Sequence, residues 1–170
     1  VNPSLYRLEC KPVEKAETRK QVAVVGAGPA GCEAALTASK RGHQVTIYEK
    51  RCIGGAMIEA SKPENKANIK RLIHYYEDHI MHDPNITLVK EEVEYETLVH
   101  SGYDAVIIAV GGKTRILNVP GIEKNSVIYA SDYLNGSTAV TGNTVVVIGG
   151  GITGAETALE LNAEGKKVTI

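Results

Sequence analysis

The sequence predicts an α/β fold built on a parallel sheet. Three observations carry that prediction: β-branched apolar runs without polar alternation, glycine-rich turns directly after two of them, and Ala/Leu/Glu-rich helical stretches directly after the turns. The arrangement occurs twice. Aligning residues 22–47 with residues 145–170, an offset of 123, gives twelve identities in 26 positions: Val22, Val24, Gly26, Gly28, Gly31, Glu33, Ala35, Leu36, Gly42, Val45, Thr46 and Ile47 equal their counterparts. Each copy reads as strand, turn, helix, strand.

Taken in order, residues 1–20 hold Pro3, Pro12, five basic and three acidic side chains without a clear period, and read as a linker or arm. A strand over Val22–Val25 precedes the turn Gly26-Ala-Gly28-Pro-Ala-Gly31, and a helix then runs to about Arg41. Gly42 closes that helix before a second strand over Gln44–Glu49. Ile69, Leu72, Ile73, Tyr76 and Ile80 stand at helical spacing, which predicts an amphipathic helix over Asn65–His82 with one face on the sheet, ended by Pro84 and Asn85. Ile86–Val89 and Glu92–Tyr95 read as short strands, and Ala105–Val110 as a buried strand ending in Gly111-Gly112. Lys113–Gly142 is mixed, with turn signals at Pro120-Gly121 and Asn135-Gly136, and connects to the second copy.

Composition narrows the function. Nineteen Lys plus Arg against twenty Asp plus Glu give a net charge of −1, so no basic field exists to gather nucleic acid. With 43% hydrophobic and 23% charged residues the chain is of the globular type. No apolar run approaches the roughly 18 to 20 residues of a membrane span, which predicts a soluble cytoplasmic protein without a membrane partner. Cys10, Cys32 and Cys52 form no C-x-x-C pair, which argues against a zinc ribbon or a redox dithiol.

The glycine turns carry the chemistry. In Gly26-x-Gly28-x-x-Gly31 the first glycine permits the tight turn, the second lets the backbone approach a pyrophosphate, and the third lets helix and strand pack closely. Pro29 and Ala30 open the helix, whose unpaired N–H groups and dipole favour an anion. Glu49 follows Gly31 by 18 residues, where a carboxylate accepts hydrogen bonds from the ribose hydroxyls of an adenosine; Lys50 and Arg51 lie beside it within reach of adenine or pyrophosphate. Gly149, Gly151, Ile152, Thr153 and Gly154 repeat the turn, and the position equivalent to Glu49 would be 172, beyond Ile170, so the side chain that separates NAD from NADP is not among these residues. The expected fold is therefore a Rossmann-like three-layer dinucleotide-binding fold with a parallel sheet and a small β-meander, its second Rossmann unit truncated. Leu159, Leu161 and Val168 would then show an apolar face, covered in a homo-oligomer or left on a disordered or swapped segment after about Val145.

Other features have plainer readings. His79 and His82 stand at i and i+3 beside Asp83, but without further ligands they read as a solvated helix end rather than a metal site. Cys32 reads as helix packing and Cys52 as a loop residue without catalytic duty. Glu33 and Glu156 are expected in the first turn of their helices, where the dipole favours a carboxylate whatever the ligand.

Val22-Ala-Val-Val-Gly-Ala-Gly-Pro-Ala-Gly31, Glu49, Gly54-Gly55 and Val106-Ile-Ile-Ala-Val-Gly-Gly112 resemble flavoproteins with two dinucleotide-binding domains. The resemblance implies FAD at the first turn, with Gly54 and Gly55 approaching its pyrophosphate and Ala109, Val110 and Gly111 matching the family's Ala-Thr-Gly segment. Val110 replaces the family's Thr. NAD(P)H is implied at the second turn, so that residues 21–142 form the N-terminal part of an FAD domain and residues 143–170 the start of an inserted NAD(P) domain.

Val1-Asn2-Pro3, Tyr48-Glu49-Lys50, Ile53-Gly-Gly55 with Ala60 and Pro63, and Ala130-Ser-Asp-Tyr-Leu134 are similar to the C-terminal module of the 2,4-dienoyl-CoA reductase, enoate reductase and trimethylamine dehydrogenase group, relatives of old yellow enzyme. That resemblance implies an N-terminal barrel partner with FMN and a [4Fe-4S] cluster in preceding segments, and a hydride path from NAD(P)H to FAD and onward to an alkene. Hydride transfer needs aligned rings rather than a catalytic side chain. The family's later Gly-Asp segment, which contacts the flavin, is missing here, so these residues alone are expected to hold flavin poorly and to be inactive. Two alternatives stand beside this: an ADP-binding structural module, as in trimethylamine dehydrogenase, and a module like the small subunit of glutamate synthase.

Overall fold

The structure is a computed structural model that describes residues 12–170. Two compact units divide it, one of residues 12–55 and 74–111 and one of residues 56–73 and 112–170. In chain order the elements are β1 (Gln21–Val25), α1 (Pro29–Lys40), β2 (Gln44–Tyr48), α2 (Met57–Ala60), α3 (Ala67–His82), β3 (Ile86–Val89), α4 (Tyr95–His100), β4 (Ala105–Ile108), α5 (Ala130–Leu134), β5 (Thr144–Val146), α6 (Ile152–Ala163) and β6 (Lys167–Thr169). A 3₁₀ turn, Glu64–Lys66, leads into α3.

The first unit holds a four-stranded sheet in the order β3-β2-β1-β4. Every ladder is parallel, with Val22 opposite both Val45 and Ala105. Parallel neighbours require crossovers, and α1 supplies the one from β1 to β2 while touching all four strands. Val22, Val24, Val45 and Ile47 of the sheet and Cys32, Ala35 and Leu36 of the helix are buried, which is why β1 and β2 lack polar alternation. Burying one such Val, Leu or Ile contributes roughly 1.5 to 3 kcal/mol. The sequence also specifies where α1 starts and stops. Pro29 sits at its first turn, where no N–H is missed, and the chain leaves through a Schellman turn in which His43 N–H donates to the Ala38 carbonyl (3.1 Å) and Gly42 N–H to that of Ser39 (2.7 Å).

Two groups fasten α3 within this unit. Tyr76 and Ile80 are buried, and the Tyr76 hydroxyl donates to Glu33 Oε1 at 2.9 Å, which docks this half of the helix on α1. Beyond its end Asp83 accepts from Ser39 Oγ (2.7 Å) and from the Asn85 N–H (2.9 Å), a local turn that Pro84 reinforces.

In the second unit β5 and β6 pair in parallel around α6. A Schellman turn ends α6 as it ends α1, with Lys166 N–H on the Leu161 carbonyl (3.1 Å) and Gly165 N–H on that of Asn162 (2.9 Å). Tyr133 and Leu134 of α5 pack with Leu161 to form the core, joined by Val145, Val147 and Val168.

Several expectations are corrected. Glu92–Tyr95 is not a strand: Glu94 caps α4, because Tyr95, Leu98 and Val99 repeat at helical rather than alternating spacing. Among the described residues no antiparallel ladder forms, so the small β-meander is absent; Lys113–Gly142 instead contributes α5 and irregular chain. β4, an edge strand of the sheet, is exposed rather than buried, with Ile108 64% accessible. Leu161 and Val168 are not part of an open face, since α5 covers them; Leu159 does lie open at 69%. The segment after Val145 forms β5, α6 and β6 rather than a disordered tail.

Candidate functional site

Three loops of the first unit meet at the carboxyl ends of β1, β2 and β4. Gly26, at φ 99°, makes the first turn in a backbone region that side chains avoid, and its N–H donates to the Tyr48 carbonyl (2.8 Å). A Cβ on Gly26 would also lie 2.5 Å from the Ala109 carbonyl oxygen, which brings the loop after β4 against the first turn. Gly31 is closed more tightly, for a Cβ there would stand 1.8 Å from the carbonyl oxygen of Gly26. Gly28 is the N-cap of α1 in ordinary extended geometry, with no side-chain cap on the helix. The first N–H groups of α1 therefore remain available for an anion.

The peptide of Ala27 ties the loops together. Its N–H donates to Glu49 Oε2 (2.7 Å), and its carbonyl accepts from the Gly54 N–H (2.8 Å) and the Cys32 thiol (3.2 Å). Glu49 Oε1 accepts from the Arg51 N–H (2.8 Å), so both oxygens of this buried carboxylate already take backbone donors and keep further lone pairs. Gly55, at φ 53°, faces Gly28: a Cβ on Gly55 would come within 2.9 Å of Gly28 Cα, whereas one on Gly28 would find its nearest neighbour, Gly55 Cα, at 3.9 Å. The space over Gly28 is a cradle that a side chain would fill, and it suits a pyrophosphate on the helix N-terminus.

The remaining first-site candidates are placed as follows. Pro29 and Ala30 form the opening of α1. Ala109 N–H extends the β1 ladder onto Val25 (2.8 Å), Val110 is exposed, and Gly111 turns the chain away. β1 and β4 are adjacent strands between which the strand order reverses, β2 and β3 lying on one side of β1 and β4 on the other, which is where open α/β sheets bind ligands. Lys50 pairs with Glu92 (2.7 Å) at the surface, and the Arg51 guanidinium reaches the Gly55 carbonyl (3.3 Å).

The second turn has the same geometry. Gly149 has φ 112°, Gly151 caps α6, and a Cβ on Gly154 would stand 1.9 Å from the Gly149 carbonyl oxygen. Ile152 and Thr153 open α6; the Thr153 carbonyl accepts from Thr157 Oγ1 (2.7 Å). Among the described residues none comes within 4 Å of a Cβ built on Gly151, so no loop there faces it as Gly55 faces Gly28.

Glu33 and Glu156 are each the fifth residue of their helices, not in the first turn, because those helices start at Pro29 and Ile152. Glu33 accepts from Tyr76 and Glu156 pairs with Lys66, both partners that no sequence spacing indicates. The Ala27 peptide was equally invisible in sequence, since its role is backbone alone. His79 and His82 turn Nδ1 to the carbonyls of Tyr75 (2.9 Å) and Asp78 (2.8 Å) on their own helix. Burial, with the charges of Glu33 and Glu49, pushes the Cys32 thiol up to about 12. Cys52 is exposed, and Cys10 lies outside the described residues.

A parallel sheet with such turns at the ends of its strands defines a dinucleotide-binding protein of the Rossmann-like class. Residues 20–170 match the family described as pyridine nucleotide-disulphide oxidoreductase, and the chain belongs to that family. It is 36% identical to cinnamate reductase of Clostridium sporogenes over 172 residues, which cover 100% of this chain and 25% of that protein. NADH oxidase of Thermoanaerobacter brockii is 40% identical over 162 residues, 93% of this chain and 25% of its own length. Among solved structures, 2-naphthoyl-CoA reductase in complex with 2-naphthoyl-CoA superposes with a TM-score of 0.86 at 34% identity, over 92% of this chain and 24% of that one. The chain thus spans about a quarter of the length of these relatives. Among the described residues no helix is long and apolar enough to cross a membrane.

Proposed function

We propose that this chain is the nucleotide-binding module of an NAD(P)H-dependent flavin oxidoreductase, acting in the cytoplasm on an enoate-like or CoA-linked alkene. The observation that carries the reading is the convergence of Gly28, Gly55 and the Ala27–Glu49 hydrogen bond at the N-terminus of α1. In this reading residues 21–142 belong to an FAD domain and residues 143–170 begin an NAD(P) domain. Gly26, Gly28, Pro29, Ala30 and Gly31 hold the pyrophosphate of FAD with Gly54 and Gly55, and Glu49 accepts from the ribose. Lys50 and Arg51 flank the adenosine, and Ala109, Val110 and Gly111 lie toward the flavin. Gly149, Gly151, Ile152, Thr153 and Gly154 hold the pyrophosphate of NAD(P)H. A bound flavin supplies the hydride acceptor. What the protein residues do is bind and orient, which is enough for a reaction whose rate depends on ring alignment.

The relatives, four times longer than this chain, support a parent protein with further domains. In this reading, which the resemblance to the enoate reductase group supports, those domains are a barrel with FMN and a [4Fe-4S] cluster. Anaerobic addition of NADH to that whole protein tests the reading. It should bleach the flavin absorbance, and Gly151→Glu should leave the flavin bound but prevent the bleaching. Undiminished bleaching in Gly151→Glu would contradict the assignment of the second turn.

A further inference from the structure

A trans peptide points its C=O and its N–H in opposite directions, so whatever holds the Ala27 carbonyl also aims the Gly28 N–H. That N–H makes no hydrogen bond among the described residues, and it belongs to the residue over which the first cradle lies. Gly28 has φ −71° and ψ −179°. Turning the Ala27–Gly28 peptide plane by half a rotation would carry φ of Gly28 to about +110°, a region open to glycine and avoided by other residues. The glycine that leaves room for a pyrophosphate thus also permits a flip, which would put the Ala27 carbonyl oxygen where the N–H had pointed.

Two donors oppose that flip, both within the first unit. The Ala27 carbonyl accepts from the Gly54 N–H (2.8 Å) and from the Cys32 thiol (3.2 Å), which occupies both of its lone pairs. Cys32 is fully buried in α1, so on a flip its thiol would lose this acceptor with no water to replace it. Burial also keeps the thiol protonated, pushed up to about 12, and so a donor. Ala155 stands at the matching place in the second turn and has no side-chain donor to offer.

We propose that Cys32 is a positioning residue of the first site: with the Gly54 N–H, its thiol locks the Ala27–Gly28 peptide so that the Gly28 N–H, and not the Ala27 carbonyl, faces the phosphates of a bound nucleotide. The inference rests on the proposed function, because it requires a pyrophosphate over Gly28. Cys32 itself touches no ligand and carries out no redox step. It acts through one peptide plane, raising the share of molecules whose turn is ready to bind. Without the thiol that share falls, and the apparent affinity falls by the same factor.

Calorimetric titration of the chain with ADP tests the lock, read on the binding event that Gly28→Glu removes and accompanied by urea unfolding of each variant. Cys32→Ala and Cys32→Val both remove the donor, the second while filling the thiol's space, and each should weaken that event about threefold, as the loss of one weak neutral hydrogen bond does. Cys32→Ser keeps a donor at the same place and should restore the parent affinity. If the smaller Ala side chain unfolds the first unit, Val carries the comparison. Parent affinity in a folded variant without the donor would overturn the lock and leave the first-site reading standing. A Ser variant as weak as Ala and Val would also overturn it, by showing that packing and not the donor matters. Absence of such an event in the parent chain would overturn the first-site reading itself, and the lock with it.

Discussion

The carbonyl oxygen of Gly26 occupies the place where a side chain on Gly31 would begin: a Cβ there would lie 1.8 Å away, far inside any allowed contact. The turn and the helix after it are thus locked by backbone against backbone, with no flexible group to give way. Gly149 and Gly154 repeat the relationship at 1.9 Å.

That contact separates folding from binding among the three glycines. Gly31→Ala should destabilise the first unit severely, by more than about 3 kcal/mol, as overpacking against rigid backbone does. Gly28→Ala should leave stability almost unchanged, because its Cβ meets only Gly55 Cα at 3.9 Å in ordinary backbone geometry, yet nucleotide affinity should fall. Urea unfolding beside a binding titration distinguishes the two.

Glu49→Gln should weaken ADP binding by about tenfold to a hundredfold, the range for losing a charge-assisted hydrogen bond of roughly 1.5 to 3 kcal/mol. The glutamine amide also turns a donor toward the Ala27 or Arg51 N–H, where the carboxylate now accepts from both. Calorimetry with ADP measures the loss, and an unchanged affinity would remove Glu49 from the site.

Burial should make Cys32 the earliest group in alkaline unfolding. Its thiol is raised from 9.0 to about 12 in the folded chain. Below pH 9 both folded and unfolded thiols keep their protons and the stability is whole; between pH 9 and 12 only the unfolded thiol ionises, so stability falls as pH rises, by up to about 1.4 kcal/mol per pH unit. Unfolding midpoints measured across pH 8 to 11 should therefore drop less steeply in Cys32→Ala. In the folded protein at pH 8, mass spectrometry should find Cys52 alkylated and Cys32 protected.

The α5–α6 contact predicts unequal effects from two leucines two residues apart, on opposite faces of α6. Leu161→Ala should cost about 2 to 5 kcal/mol and loosen the second unit, because it empties the cluster with Tyr133 and Leu134. Leu159→Ala, at an open position, should change stability by less than about 0.5 kcal/mol. Hydrogen exchange of α6 amides reads the difference.

How far the sequence disclosed the molecule follows from the range of its forces. The turns, α1, α6 and the inner strands were legible because glycine spacing and unbroken β-branched runs are local signals. The ending of α1 at Gly42 was equally local. Glu92–Tyr95 misled because Val93 and Tyr95 satisfy an alternating pattern while Tyr95, Leu98 and Val99 satisfy a helical one, and the longer pattern prevailed. Leu161 was placed at the surface because its cover, Tyr133 and Leu134, lies 27 or more residues away in a stretch without a period. At the candidate site the glycines of the two turns and Glu49 could be named from spacing, and Gly54, Gly55 and Gly111 only through the family resemblance. The Ala27 peptide, Tyr76 and Lys66 could not, since tertiary contact alone gives them their roles.

The central claim is that the first glycine turn is an adenine-nucleotide site. Calorimetric titration of the chain with ADP, beside Gly28→Glu, tests it most directly. The account predicts that Gly28→Glu removes the saturable event belonging to the first turn without unfolding the sheet and leaves only what the second turn binds, since the added carboxylate fills the cradle and repels the pyrophosphate. ADP binding that survives Gly28→Glu at the same affinity and stoichiometry would contradict it.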